Sequence, residues 1–216
     1  MKKTADNINI IGKSDGPTSV FIAGKGEKKT LRQKIEKSMY DFRRTRVIKS
    51  LRADPHTVDE VADYLVRELG YTEVSPEDEA YQTEYSDLRA SFLMQYRPEL
   101  LGDLTEPQRP QQWDEKSAME FMEQIKQRTE AARAVPKTEF DIDFHLYRKT
   151  GRDFQMSISI EKTYESFSGS ASGSTRAMRR YGADFRKVYR YYGVSQEDIR
   201  QHTKRFDEVV RQLTVR

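Results

Sequence analysis

The sequence predicts an α+β fold that is mostly helical, with a β-hairpin near each end of the chain. Three observations support this prediction. Apolar residues recur every three or four positions in six segments, which is the period of a helix with one buried face. Elsewhere, apolar and polar residues alternate, as they do along a half-buried strand. Glycine, proline and capping residues separate these segments. The chain has 216 residues, a length that suits one domain with its own core.

The N-terminal hairpin is predicted from a turn between two apolar runs. Residues 7–11 and 19–23 are the expected strands, and residues 12–18 are the turn. In this turn the Asp15 side chain can accept hydrogen bonds from nearby backbone amides, and Gly16 can adopt angles that other residues avoid. Both residue types are therefore typical of such a turn.

The turn also carries a specific pattern, Ile-Gly-Lys-Ser-Asp-Gly-Pro-Thr-Ser-Val-Phe over residues 11–21. This pattern resembles the signature of the membrane β subunit of sodium-translocating decarboxylases, except that Lys13 replaces the second glycine of the family. The aspartate of that signature is a candidate sodium ligand, so the resemblance implies this role for Asp15. The whole chain also resembles small soluble proteins of anaerobic Gram-positive bacteria that carry the signature and have no assigned function.

Decarboxylase or sodium-pump activity is not expected, because a helix that spans a bilayer needs about 20 mostly apolar residues. The mean hydropathy of this chain is −0.89, and 34% of its residues are charged. The sequence therefore predicts a soluble protein without membrane insertion. It has no cysteine, and no apolar signal segment follows the start at Met1. The predicted location is the cytoplasm.

The first predicted helix, over residues 28–53, is strongly basic. Between Lys25 and Arg52 the sequence has eleven basic and three acidic residues. Seven apolar residues at helical spacing predict a single apolar stripe with a basic back. These residues are Leu31, Ile35, Met39, Phe42, Val47, Ile48 and Leu51.

Two further helices are predicted before residue 97. Thr57 and Glu60 have the spacing of a capping box, and Gly70 is expected to end that helix. The next helix follows Ser75-Pro76 and carries an aromatic row that we expect in the core. The row consists of Tyr81, Tyr85, Leu88, Phe92 and Tyr96.

Residues 98–112 contain three prolines and no helical period, which predicts an extended connector. The chain is therefore expected to be a single domain, 1–216, or to divide into residues 1–97 and 113–216. A helix over residues 113–134 follows the connector.

The C-terminal third predicts a hairpin and two helices. Residues 140–147 and 154–161 alternate apolar and polar side chains around a glycine turn, which indicates a hairpin with one buried face. The Ser/Gly tract 166–175 is expected to be a flexible connector, with phosphate binding as the alternative. Helices are predicted over residues 175–192 and 196–213.

Three function classes remain open. The first is a non-enzymatic binding or regulatory module whose N-terminal turn (Asp15, Gly16, Thr18) docks on a protein partner or coordinates a cation. The second is a nucleic-acid-binding protein that uses the basic helices 28–53 and 175–192. Its candidate residues are Arg43, Arg44, Arg46, Arg179, Arg180 and Arg186, because clustered basic residues attract phosphates.

The third class is a divergent metal-dependent enzyme. Asp141, Asp143 and His145 alternate along one predicted strand face, and their oxygen and imidazole ligands could bind a divalent cation. The chain has three histidines, no cysteine and no recognised catalytic signature. We therefore expect a non-enzymatic protein, with no catalytic residue assigned and no cofactor predicted.

Overall fold

The structure is a computed structural model that describes residues 30–104, 106–110 and 112–215. The predicted N-terminal hairpin, residues 7–23, lies outside these ranges. The described chain has an α+β fold with one four-stranded antiparallel sheet in the order β1-β2-β3-β4. No helix in these ranges is long and apolar enough to cross a membrane.

In chain order the elements are α1 (Leu31–Ser50), α2 (Val58–Arg67), β1 (Thr72–Glu73), α3 (Glu79–Tyr96), a 3-10 turn (Pro98–Leu101), α4 (Glu115–Ala134), β2 (Phe144–Gly151), β3 (Phe154–Glu161), β4 (Ser166–Gly173), α5 (Thr175–Tyr192), α6 (Gln196–Gln201) and α7 (Lys204–Thr214).

The chain divides into two compact units. Residues 30–74 and 145–215 form the first, which we call the sheet unit, and residues 75–144 form the second, the acidic unit. The sheet unit has 23 basic and 16 acidic residues, whereas the acidic unit has 8 basic and 16 acidic residues. The boundaries thus lie near residues 74 and 144, and the predicted connector 98–112 falls inside the acidic unit.

The core of the sheet unit lies between the sheet and helices α2, α5 and α7. Alternating apolar residues of β3 are buried there, as the period of two predicts. The intervening residues Ser157, Ser159 and Glu161 are buried as well, so β3 differs from the predicted strand with one buried face. Serine hydroxyls pair across β3 and β4, at 2.8 Å between Ser157 and Ser170.

The predicted flexible connector, residues 166–175, is mostly strand β4, which pairs with β3 over its full length. Gly169 of this strand lies in a crowded environment. A Cβ atom on Gly169 would overlap the carbonyl oxygen of Ser157 and lie 2.6 Å from the hydroxyl oxygen of Tyr181. Glycine is therefore required at position 169, where β3 and α5 leave no room for a side chain.

We expect Gly169→Ala to lower the free energy of unfolding by about 1–3 kcal/mol, because the backbone of β3 must shift to admit the methyl group. Urea denaturation followed by circular dichroism measures this change. The control is Gly182→Ala in α5, where the nearest atom would be 3.4 Å away and alanine favours the helix. Equal stabilities of the two variants would contradict the close approach.

The predicted helix 196–213 is two helices, α6 and α7, because the chain turns at His202, whose φ of 51° is left-handed. The Thr203 hydroxyl accepts a hydrogen bond from the Phe206 amide and caps α7. Thr203 also donates to the Asp198 carboxylate at 2.5 Å. Local capping therefore interrupts a segment that has helical periodicity throughout.

In the acidic unit, α3 packs against α4. The buried side chain of Arg89 donates to the carbonyl oxygens of Phe140 (2.9 Å) and Val135 (2.7 Å), which fixes the segment after α4 against α3. Of the predicted aromatic row, Tyr85 and Phe92 are buried.

Candidate functional site

Helices α1, α5 and α7 of the sheet unit meet along one side of the core. The C-terminal half of α1 packs on α7, and α7 also contacts α5. Val47 and Ile48 of α1 and Leu213 of α7 are half-buried against the core. These apolar contacts fix where the polar faces of α1 and α5 lie.

Between the three helices lies an open groove of about 990 Å³, which we call the arginine groove. Among the residues that the structure describes, its lining includes five arginines and neither aspartate nor glutamate. The arginines are Arg43, Arg46, Arg179, Arg186 and Arg190.

Helical spacing brings these side chains together. Arg179, Arg186 and Arg190 lie seven and four residues apart in α5, so they share one face of that helix. Arg43 and Arg46 lie three residues apart in α1 and likewise share a face. The two helix faces supply three and two guanidinium groups to the same groove.

Within the described residues, the positive charge of the groove is not compensated by a neighbouring carboxylate. In the ranges that the structure describes, no ion pair joins any of the five arginines to a carboxylate. The single acidic residue of α5, Asp184, is buried and lies 3.6 Å from Lys149 and 3.4 Å from Lys187. Clustered charges of one sign in a concave surface attract ligands of the opposite sign.

The other described side chains of the lining are aliphatic or small, and none of them is aromatic. The aromatic residues of α5 point instead toward the core, where Tyr189 and Tyr192 are buried. The Tyr189 and Phe167 ring centroids are 5.5 Å apart, and burial raises the pKa of Tyr189 well above its usual value. The groove therefore offers groups that bind phosphates but no ring on which a base could stack.

The structure brings four of the six predicted arginines to the groove and places two elsewhere. Arg44 is exposed outside the lining, because its helical position differs by about 100° from that of Arg43. Arg180 lies with its guanidinium carbon 5.9 Å from the ring centroid of Phe154. The prediction missed Arg190, although its spacing of four residues from Arg186 places it on the same face.

The N-terminal turn residues Asp15, Gly16 and Thr18 lie outside the described residues. Their proposed role in binding a partner or a cation stays a prediction of the sequence.

The predicted metal ligands have other neighbours. Strand β2 begins at Phe144, so Asp141 and the exposed Asp143 precede the strand on which they were expected. Asp141 accepts hydrogen bonds from the Tyr85 hydroxyl (2.5 Å) and the Ile142 amide (2.8 Å). Burial raises the pKa of Asp141, but these hydrogen bonds outweigh it and hold the pKa below its usual value.

His145 lies in β2, with its Nδ1 atom 2.7 Å from a carboxylate oxygen of Glu73. Across the three described ranges, no group of three histidine, aspartate or glutamate side chains could hold a metal ion. The metal site therefore stays a prediction of the sequence.

Guanidinium groups donate paired hydrogen bonds to phosphate oxygens, which makes five of them in one groove suited to a ligand with several phosphates. No protein-family model, curated protein sequence or solved structure matches the chain. The function is therefore inferred from the residues of the groove.

Proposed function

We propose that the protein is a non-enzymatic module that binds the sugar-phosphate backbone of a nucleic acid in the arginine groove. One observation carries this proposal: five arginines from α1 and α5 line a single open groove to which the described residues contribute no acidic side chain. Arginine is the residue that most often neutralises and orients phosphates in nucleic-acid interfaces.

The length of the groove favours a polymer over a single phosphate or nucleotide. Arg179 and Arg190 are eleven residues apart in α5, which corresponds to about 16 Å along the helix axis. Successive phosphates of one strand in B-form DNA are separated by roughly 3.4 Å of helix axis, so a strand continues along this length where a single phosphate cannot.

The composition of the groove favours contacts with the backbone over reading of the base sequence. Base recognition uses hydrogen-bonding side chains at base edges or aromatic rings that stack on bases. Apart from its arginines, the lining has aliphatic residues, one glycine and two threonines, Thr175 and Thr214, of which Thr214 is buried. We therefore expect similar affinities for oligonucleotides of different sequence.

The test is the salt dependence of binding. A fluorescently labelled 20-nucleotide strand of mixed sequence is titrated with the protein, and anisotropy is measured between 50 and 300 mM NaCl, conditions that bracket physiological ionic strength. Five neutralised phosphates predict a slope of log K against log salt of about −3.5 for a single strand and about −4.5 for a duplex. Absent binding, or affinity that does not change with salt, would exclude the proposal.

A further inference from the structure

A second exposed surface lies on α1, toward its N-terminal end. Leu31, Ile35, Met39 and Phe42 are between 48% and 75% exposed, and no residue of α1 is buried. We call these four residues the α1 stripe.

The α1 stripe is separate from the part of α1 that packs on the core. Phe42 and Val47 are five residues apart, which places them about 140° apart around the helix axis. The single apolar stripe expected from the sequence is thus divided: Val47, Ile48 and Leu51 contact the core, and the α1 stripe does not. Four large exposed apolar side chains in a row mark an interaction surface.

A matching surface lies on the acidic unit. Along α4 there is a groove of about 890 Å³ that includes Met119 and Met122, with exposed fractions of 67% and 45%. We call it the methionine groove. Its α4 residues of apolar or small character lie at positions 118, 122, 125 and 129, and the charged residues of the lining are three acidic (Asp87, Glu123, Glu130) and two basic (Lys126, Arg133). Methionine side chains adapt to the shape of an apolar partner.

The two surfaces agree in length, and the units that carry them have net charges of opposite sign. The α1 stripe (residues 31–42) and the α4 row (residues 118–129) each extend over twelve residues, about 16 Å of helix. Arg32, which pairs with Glu36 at 2.9 Å, and Lys34 lie beside the stripe. The stripe belongs to a unit with a net charge of +7, whereas the methionine groove belongs to a unit with a net charge of −8. An amphipathic helix that lies in an apolar groove is a common mode of recognition.

We propose that the chain associates with itself head to tail, with the α1 stripe of one copy in the methionine groove of a second copy. Because the two surfaces differ, each contact leaves one stripe and one groove free for further copies. Pairing of two α1 stripes would bring two strongly basic helices together, which the charges oppose. The proposal uses neither Arg43 nor Arg186 and does not depend on nucleic-acid binding. A contact joins the α1 stripe to the arginine groove: the guanidinium carbon of Arg46, which lines that groove, lies 5.9 Å from the ring centroid of Phe42.

The experiment uses sedimentation velocity on the full chain after nuclease treatment, in 50 mM NaCl and over a range of protein concentrations. The wild type is expected to exceed the monomer mass of 25.3 kDa increasingly with concentration. A stripe variant (Ile35→Ser with Phe42→Ser) and a groove variant (Met119→Glu with Met122→Glu) should each be monomeric. Because all four side chains are exposed, both variants should keep the wild-type circular dichroism spectrum.

Mixing the two variants is the decisive measurement. Each retains the surface that the other lacks, so an equimolar mixture should form a 1:1 dimer and nothing larger. Failure of the mixture to dimerise would overturn the proposal. So would a groove variant that associates like the wild type, which would indicate pairing through α1 alone.

Two other occupants of the stripe would also overturn the proposal. A wild-type chain that stays monomeric, but sediments with phosphatidylglycerol vesicles through the intact stripe, would identify an anionic membrane surface as the occupant. A wild-type chain that stays monomeric and binds no vesicle would show that copies of the chain do not occupy the stripe. The Arg43→Ala, Arg186→Ala double variant should assemble like the wild type, which separates this proposal from nucleic-acid binding.

Discussion

Replacement of Arg43 and Arg186 by glutamate is expected to weaken nucleic-acid binding at least about 100-fold. These two half-buried arginines face the arginine groove from α1 and α5. Each charge-assisted hydrogen bond to a phosphate contributes about 1.5–3 kcal/mol, so loss of two costs about 3 kcal/mol or more. This loss corresponds to roughly two powers of ten in affinity, and the new carboxylates add repulsion. Anisotropy with the labelled 20-nucleotide strand at 50 mM NaCl measures the effect.

The chain offers a matched control in Arg44 and Arg180. These residues lie on the same two helices and are exposed, but they do not line the groove. The Arg44→Glu, Arg180→Glu double variant has the same net charge as the groove variant and should bind within about fivefold of the wild type, because only long-range attraction is reduced. Equal losses in both variants would show that net charge, and not the groove, determines binding.

Arg205→Ala is expected to lower the free energy of unfolding by about 3–5 kcal/mol. The Arg205 guanidinium donates to the carbonyl oxygens of Gly193 (3.0 Å), His56 (2.8 Å) and Tyr192 (2.5 Å). Its carbon also lies 3.7 Å from the Tyr192 ring centroid. Removal of the side chain leaves three carbonyl groups without this donor and removes the cation–π contact, and each loss costs about 1 kcal/mol or more.

Urea denaturation at pH 7, followed by circular dichroism at 222 nm, measures this loss. Arg205→Lys should be intermediate, because a lysine keeps the charge but not the planar arrangement of donors. Arg200→Ala is the control: Arg200 is exposed and makes one long hydrogen bond to its own helix, at 3.3 Å, so we expect a change within about 0.5 kcal/mol. Similar losses for Arg205→Ala and Arg200→Ala would mean that the three carbonyl contacts contribute little.

Features that depend on neighbours in sequence could be predicted. The capping box at the start of α2 is confirmed: the Glu60 carboxylate accepts from the Thr57 amide at 2.7 Å, and the Thr57 hydroxyl accepts from the Glu60 amide at 3.2 Å. The alternation in β3 likewise identified Met156, Ile158 and Ile160 as core residues. In both cases the signal lies within a few residues.

Features that depend on distant parts of the chain could not be predicted in the same way. The sequence of β4 predicts a flexible tract, because serine and glycine rarely form strands. The segment is a strand because it pairs with β3. The divided apolar face of α1 depends on where α7 lies, more than 150 residues later in the sequence. The candidate site was anticipated as two basic helices, but their convergence is a property of the tertiary structure.

The connectivity of the sheet unit has a consequence for the order of folding. Strands β1 and β2 are neighbours, with Thr72 opposite Arg148, yet the whole acidic unit lies between them in the sequence. Closing so long a loop is entropically costly and slows formation of the contact. During synthesis, α1 also has no packing partner in α7 until the chain has been made as far as Thr214. The arginine groove therefore forms only after α7 has left the ribosome, and a chain that stops before α7 lacks it.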